Sequence, residues 1–170
     1  AIYRYIIVKY VGKDIEGEEA NACFTKVLSA CGRDDLAERY IKRAITYNPD
    51  NPRYHHMLGI ICNSNGQYEK AIEEFDLAAH KEPDNVSYLS DLGANIYNRG
   101  NRKLGLEHIH KALELAPTNR DLLTSLAMAY LSLGDMTRAQ GYAEKAAEIA
   151  PDDVWTQVVL RKVLDSRKNL

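Results

Sequence analysis

Histidine and cysteine are the residue types in this sequence that could bind a metal or attack a substrate. His108 and His110 stand two residues apart in a predicted helix, so they point to different faces and make a poor metal pair. Cys23 and Cys31 stand eight residues apart in another predicted helix, too far for an intrahelical disulfide. Three cysteines without a CxxC pair argue against a disulfide framework and favour a reducing, cytoplasmic compartment.

Catalytic motifs are missing from the sequence as well. We find no HExxH, no phosphate-binding glycine loop and no nucleophile with a base and an orienting residue. The net charge is -2 and the sequence pI is about 6.2, so nothing in the charge favours nucleic acid, which would require a basic patch. We therefore expect a non-catalytic protein with no cofactor, no metal and no nucleic-acid partner.

The elements that would position any site are indicated by a period of 34 residues. Four series of identical residues recur at this interval over most of the chain: Pro49, Pro83, Pro117 and Pro151; Gly32, Gly66, Gly100 and Gly134; Ala44, Ala78, Ala112 and Ala146; Leu58, Leu92, Leu126 and Leu160. Such a period is typical of stacked repeats, in which each unit buries its apolar faces only against its neighbours.

Each unit of this period reads as two helices. From Pro52 to Asn65 the apolar residues fall at helical spacing, and Gly66 can end that helix in a left-handed conformation. A second helix is predicted from about Tyr68 to Lys81, and Pro83 stops it. Its predicted buried side carries six apolar residues: Ala71, Ile72, Phe75, Leu77, Ala78 and Ala79.

The unit resembles the tetratricopeptide repeat, and the resemblance covers about residues 18 to 166. In the second unit it rests on Leu58-Gly59, Ala71, Phe75, Ala78 and Pro83. The resemblance implies an all-α fold, a right-handed α-solenoid of helix-turn-helix repeats. Two residues depart from the family pattern: His55 stands where Trp is common, and Gly105 stands where Ala is common. We expect Gly105 to weaken its helix by roughly 0.5–1 kcal/mol relative to Ala.

The period divides the chain into four repeats between two terminal segments. The predicted repeats are residues 18–51, 52–85, 86–119 and 120–153. A last helix in residues 154–170 is expected to cap the stack, with Val158, Leu160, Val163 and Leu164 on its apolar side.

The segment of residues 1–17 does not fit the repeat. Its apolar part, Ile2–Val11, is too short to span a bilayer, which takes about 20 residues. Three interpretations stay open: a helix that caps the first repeat, a segment for dimerisation, or the end of a membrane anchor that belongs to a longer protein.

In arrays that resemble this one, the first helices line a concave groove where protein partners bind. Helical spacing selects the residues that would face this groove: Lys26, Arg53, His56, Met57, Ile60, Asn63, Ser90, Asp91, Ala94, Tyr97, Asn98, Thr124, Met128 and Leu131. Some family members hold the C-terminal carboxylate of a chaperone through basic residues on successive first helices. Here the third unit has Ser87 and Asp91 at those places, so we reject that partner.

The sequence therefore predicts a protein-protein interaction module or scaffold that binds a peptide or protein segment in its groove. A first alternative is a homo-oligomeric scaffold that assembles through Ile2–Val11 and the ends of the array. A second alternative is a regulatory or localising domain of a larger enzyme or of a membrane-anchored protein.

Overall fold

The computed structural model describes residues 17–168 of the chain, which form an all-α array. Within this range nine helices follow one another and no strand occurs. They are α1 Glu18–Ala30, α2 Asp34–Tyr47, α3 Pro52–Ser64, α4 Tyr68–Lys81, α5 Val86–Asn98, α6 Arg102–Leu115, α7 Arg120–Ser132, α8 Met136–Ile149 and α9 Val154–Lys168. The all-α helical solenoid that the sequence predicts is confirmed. The cap that we expect in residues 1–17 lies outside the described residues, except for Gly17.

Each of the first eight helices pairs with one neighbour in a hairpin: α1 with α2, α3 with α4, α5 with α6, and α7 with α8. We call α1, α3, α5 and α7 the first helices and their partners the second helices. The turn inside each hairpin has a glycine with a positive φ, between 68° and 100°. These four glycines are Gly32, Gly66, Gly100 and Gly134, and only glycine adopts this conformation without strain.

A second periodic signal sets where the helices after each hairpin begin. The side chains of Asn51, Asn85, Asn119 and Asp153, spaced 34 residues apart, each accept a hydrogen bond from a backbone N–H in the first turn of the next helix. This cap satisfies donors that the helix leaves unpaired. The start of each such helix is therefore fixed by one side chain per repeat.

Close approach of the two helices is tightest in the third hairpin. A Cβ atom on Gly105 would lie 2.6 Å from the carbonyl oxygen of Gly93 and 2.6 Å from the backbone nitrogen of Tyr97. A Cβ atom on Gly93 would lie 2.8 Å from the carbonyl oxygen of Gly105. Since these atoms belong to the backbone, they cannot move aside cheaply. Helix propensity describes Gly105 only as a residue that weakens its helix. The structure shows that Gly105 also permits this close packing.

Two apolar residues lie on a different side of their helix than the sequence predicts. Leu77 is 44% exposed, because it stands two residues after the buried Phe75 and so points about 200° away around the helix axis. Val158 is 48% exposed, whereas its neighbour Val159 is only 1% exposed. In α9 the buried face runs through Thr156, Val159 and Val163, which follow each other at helical spacing.

The first two hairpins are joined by an ion cluster. Glu38 on α2 lies 2.7 Å from the Nζ atoms of both Lys42 and Lys70, and Lys70 belongs to α4. Hydrogen bonds from these two lysines lower the pKa of Glu38 to about 2. The sequence instead suggests that Lys70 pairs with Glu73 or Glu74 on its own helix. The partner across the interface could not be identified from spacing along one helix.

Replacing Gly105 with alanine should destabilise the protein although alanine is the better helix former. We expect Gly105→Ala to lower the free energy of unfolding by about 1–3 kcal/mol, because the added methyl group meets backbone atoms. Gly141→Ala is the matched control, since a Cβ atom there would meet nothing within 4 Å. It should raise the stability by about 0.5–1 kcal/mol. Urea unfolding followed by circular dichroism measures both, and a stabilising Gly105→Ala would contradict the packing argument.

Acidification should remove the contribution of Glu38 to stability. The pKa of this carboxyl is about 2 in the folded protein against an ordinary value of 4.5, so the contribution is complete above pH 4.5 and disappears as the pH falls towards 2. Glu38→Gln should therefore cost about 1 kcal/mol at pH 7 and clearly less at pH 3. Glu107→Gln, at an exposed carboxylate, serves as the control in the same urea titrations. An equal cost of Glu38→Gln at both pH values would contradict this assignment.

Candidate protein-binding groove

The exposed sides of α1, α3, α5 and α7 form the surface on which the predicted groove residues lie, and we call it the first-helix face. Polar contacts connect each first helix to the next across this face. Tyr54 Oη lies 3.3 Å from a carboxylate oxygen of Glu19, and His56 Nε2 lies 2.7 Å from a carboxylate oxygen of Asp91. Tyr97 continues the series from α5 to α7. The first helices are thus held in register with one another.

A pocket of about 340 Å³ opens on this face between α5 and α7. Its lining contains no charged side chain and consists of Ala94, Tyr97, Asn98, Ile109, Ser125, Met128, Ala129 and Ser132. Its volume is within the range of about 300–1,000 Å³ that ligand pockets occupy. Four of the predicted groove residues, those at positions 94, 97, 98 and 128, therefore line one cavity.

The small size of Ala94 makes room for this pocket. The equivalent positions in the other first helices, at intervals of 34 residues, are occupied by Lys26, Ile60 and Met128. Alanine is the only one of these four side chains that ends at its Cβ atom. The repeat therefore has a gap in α5 that is filled in its neighbours.

Tyr97 forms a fixed wall of the pocket. Its hydroxyl lies 2.9 Å from the carbonyl oxygen of Ala129 and 2.6 Å from Ser132 Oγ, both on α7. Ser132 Oγ also donates to the Ala129 carbonyl, at 2.8 Å. These three groups hold the tyrosine ring across the gap between two first helices.

The remaining predicted residues differ in how accessible they are. Arg53, Lys26, Ile60 and Asn63 are exposed, as is Asn98 of the pocket. Half-buried are His56, Met57, Ser90, Asp91 and Leu131. Thr124 is only 3% exposed, and its hydroxyl donates to the backbone oxygen of Asp121, so this residue is not available to a partner.

Charge is distributed unevenly over the first-helix face. The Asp91 carboxylate is bound to His56, whose ring packs 4.7 Å from the ring of Tyr88. Lys26 and Arg53 form no ion pair with any other residue that the structure describes. Lys26 and Arg53 are thus exposed cations on α1 and α3, with the exposed Glu19 also on α1, and the pocket between α5 and α7 is uncharged.

His55 and His110 contact neighbouring elements of the array. His55 Nδ1 lies 2.8 Å from a carboxylate oxygen of Glu74, and its Nε2 lies 2.8 Å from the carbonyl oxygen of Pro49. His110 contacts the hydroxyl of Tyr130, and burial lowers the pKa of its imidazole. In the range 17–168 no three metal-ligating side chains come together. No helix in that range is long and apolar enough to cross a membrane.

Four pocket residues are missing from the predicted groove set, namely Ile109, Ser125, Ala129 and Ser132. Ile109 belongs to a second helix, so a search confined to the first helices does not find it. Ala129 lies next to Met128 but is 7% exposed and forms the floor. The signal that could have identified the cavity is the small residue Ala94, which stands where the other first helices have Lys26, Ile60 and Met128.

Comparison with known families agrees with this geometry. Two sequence models of the tetratricopeptide repeat match the chain, one over residues 40–73 and one over residues 121–153. The chain therefore contains tetratricopeptide repeats in these two stretches. The two matches begin at different phases of the repeat, so the division into units at residues 18, 52, 86 and 120 stays a prediction. No curated protein sequence matches the chain significantly.

Solved structures resemble this helical array in fold. MamA 41-end from Desulfovibrio magneticus RS-1 has a TM-score of 0.79 at 20% identity, with 89% of this chain and 85% of that chain covered. A second MamA crystal structure has a TM-score of 0.75 at 19% identity, with 85% and 84% covered. The structure of the APC/C hetero-tetramer Cut9-Hcn1 has a TM-score of 0.78 at 15% identity. The match covers 88% of our chain and only 30% of the chain in that complex.

Removing the Tyr97 hydroxyl should loosen the connection between α5 and α7. We expect Tyr97→Phe to lower the free energy of unfolding by about 1 kcal/mol, the usual contribution of a hydrogen bond. Tyr142→Phe is the control, because no hydrogen bond is recorded for that half-buried hydroxyl within residues 17–168. Urea unfolding measures both variants. Equal losses for the two would show that the hydroxyl of Tyr97 does not hold these helices together.

Proposed function

We propose that this protein is a non-catalytic interaction module that binds a peptide or protein segment on its first-helix face. The observation that carries the proposal is the uncharged pocket between α5 and α7, since ligand sites are concave and mostly apolar with a few polar groups. Four residues chosen from sequence spacing alone line this pocket. The side-chain amides of Asn63 and Asn98 are exposed and unused by the described residues, so they can bond a peptide backbone.

The proposed contact set is the accessible part of the predicted groove. It combines rigid and adaptable groups, since the Tyr97 ring is fixed by hydrogen bonds and Met128 has a flexible thioether chain. Thr124 is left out because it is buried. The set is Lys26, Arg53, His56, Met57, Ile60, Asn63, Ser90, Asp91, Ala94, Tyr97, Asn98, Met128 and Leu131.

A second candidate function, homo-oligomeric assembly, is favoured by the C-terminal end of the array. Val154, Trp155 and Val158 on α9 are 77%, 56% and 48% exposed. A hollow of about 560 Å³ lies beside two of them and also includes Gln157 and Arg161. This end could pack against another copy of the chain. Size-exclusion chromatography with light scattering separates a monomer from such an assembly.

Photo-crosslinking from matched positions tests where partners bind. Ile60 on the first-helix face and Leu77 on the second helix α4 are both 44% exposed, so neither is favoured by accessibility. We would place p-benzoylphenylalanine at either position and irradiate the full chain in an extract of its source cells. Mass spectrometry then identifies the crosslinked proteins.

The expected result is a defined adduct from position 60 and much less from position 77. The adduct should be competed by unlabelled wild-type protein but not by a variant whose pocket is filled. Adducts of equal yield from both positions would reject the first-helix face as the binding surface. Adducts only between copies of this chain would favour the homo-oligomeric scaffold.

A further inference from the structure

The first-helix face has a line of four equivalent positions that run across the array. They are Lys26 on α1, Ile60 on α3, Ala94 on α5 and Met128 on α7, and we call them the groove line. Along it the chemistry changes from a cation to an exposed aliphatic side chain and then to the pocket beside Ala94 and Met128. A ligand that follows this line therefore meets three different environments in a fixed order.

The pocket end of the groove line selects an apolar side chain. Its lining combines aliphatic and aromatic carbon from residues 94, 97, 109 and 128 with the polar groups of Asn98, Ser125 and Ser132. A charged side chain placed there would lose its hydration without gaining a partner of opposite charge. An aliphatic or aromatic side chain gains burial, and the polar groups at the rim can bond its backbone.

The other end of the groove line selects a negative charge. Lys26 and Arg53 are exposed cations with no ion pair among the described residues. Of the carboxylates on the face, Asp91 lies 2.7 Å from His56 Nε2, and Glu19, about two helical turns from Lys26 on α1, lies 3.3 Å from Tyr54 Oη. Charge complementarity therefore favours an acidic group beside Lys26.

Helix spacing sets the distance between the two selected groups. The axes of packed helices lie about 10 Å apart. The pocket lies between α5 and α7, which is two and a half such steps from Lys26 on α1, so the two are separated by roughly 25 Å. An extended peptide advances about 3.3 Å per residue, so about seven residues cover this distance. The exposed side chain of Ile60 lies between the two ends and can pack against a further apolar residue of the peptide.

We propose that the partner segment is an extended acidic-apolar peptide: an apolar side chain occupies the pocket at Ala94, and an acidic residue about seven positions away pairs with Lys26. The proposal rests on the proposed function and adds the chemistry of the ligand to it. The occupant is a segment of another protein, recognised by one apolar group and one negative charge at a set separation.

Synthetic peptides test this directly with the full chain. The probe is a fluorescein-labelled Gly-Ser peptide that carries one Leu for the pocket, a second Leu four residues from it and an Asp seven residues from it. A second probe has the reverse chain direction. Fluorescence anisotropy measures binding at low and high salt. We expect one of the two probes to bind, and more weakly at high salt because exposed charges are screened.

Two protein variants assign the contacts. Ala94→Met should fill the pocket and weaken binding about tenfold or more, because the ligand side chain can no longer be buried. The fold should tolerate it, since Met128 occupies the equivalent position, and circular dichroism checks this. Ala30→Met adds the same side chain at an exposed alanine of α1 and should leave affinity unchanged. The charge reversal Lys26→Glu should weaken binding of the Asp probe and strengthen binding of the same probe with Lys in place of Asp.

Several outcomes would overturn the proposal. If neither probe binds although position 60 crosslinks a partner, the proposed function stands and the acidic-apolar ligand is wrong. If Ala94→Met does not change binding, the pocket is not part of the binding site. If the charge reversal does not change binding, the acidic residue of the peptide makes no contact there. Tight, Ala94-dependent binding of a peptide with the sequence of residues 1–16 would make a second copy the occupant instead of another protein.

Discussion

In the second, third and fourth hairpins the two helices cross so closely that at least one side chain at the crossing is very small, whereas the first hairpin has the buried Thr25 and Ile41 there. A Cβ atom on Gly59 would lie 2.7 Å from the ring of Phe75, and one on Gly93 would lie 2.8 Å from Ile109. The equivalent pair in the fourth repeat is Ala127 and Ala143, both completely buried. At the crossing, a glycine on the first helix faces a large side chain on the second helix. An alanine on the first helix faces an alanine on the second. This exchange of volume keeps the core filled at a constant helix separation.

Helix α9 departs from this pattern. The position of Gly59, Gly93 and Ala127 is occupied by Arg161 in α9. A side chain of that size would prevent another helix from approaching α9 as closely as α8 approaches α7. The C-terminal end of the described array also exposes Val154 and Trp155.

Much of the fold follows from the sequence because its determinants are local and periodic. Turn glycines, prolines and apolar spacing predict the helices between residues 18 and 166 to within two residues of their observed bounds. The caps at Asn51, Asn85, Asn119 and Asp153 are equally periodic and can likewise be read from the sequence. Other features depend on the neighbouring helix and cannot be read from one helix alone. The backbone contact at Gly105, the pairing of Lys70 with Glu38 and the burial of Thr124 all belong to this group.

The candidate site shows the same division between local and non-local information. Spacing along the first helices identifies Ala94, Tyr97, Asn98 and Met128, because the direction of a side chain from a helix is a local property. A small residue at position 94 makes a pocket only if the neighbouring helix stays at its distance and does not collapse into the gap. The bond from Tyr97 to the Ala129 carbonyl, 32 residues away, holds α7 at that distance. The core residues set the framework of the repeat, so the exposed positions are free to differ between units. A binding surface specific to this chain can arise where one of them, as at Ala94, departs from its equivalents.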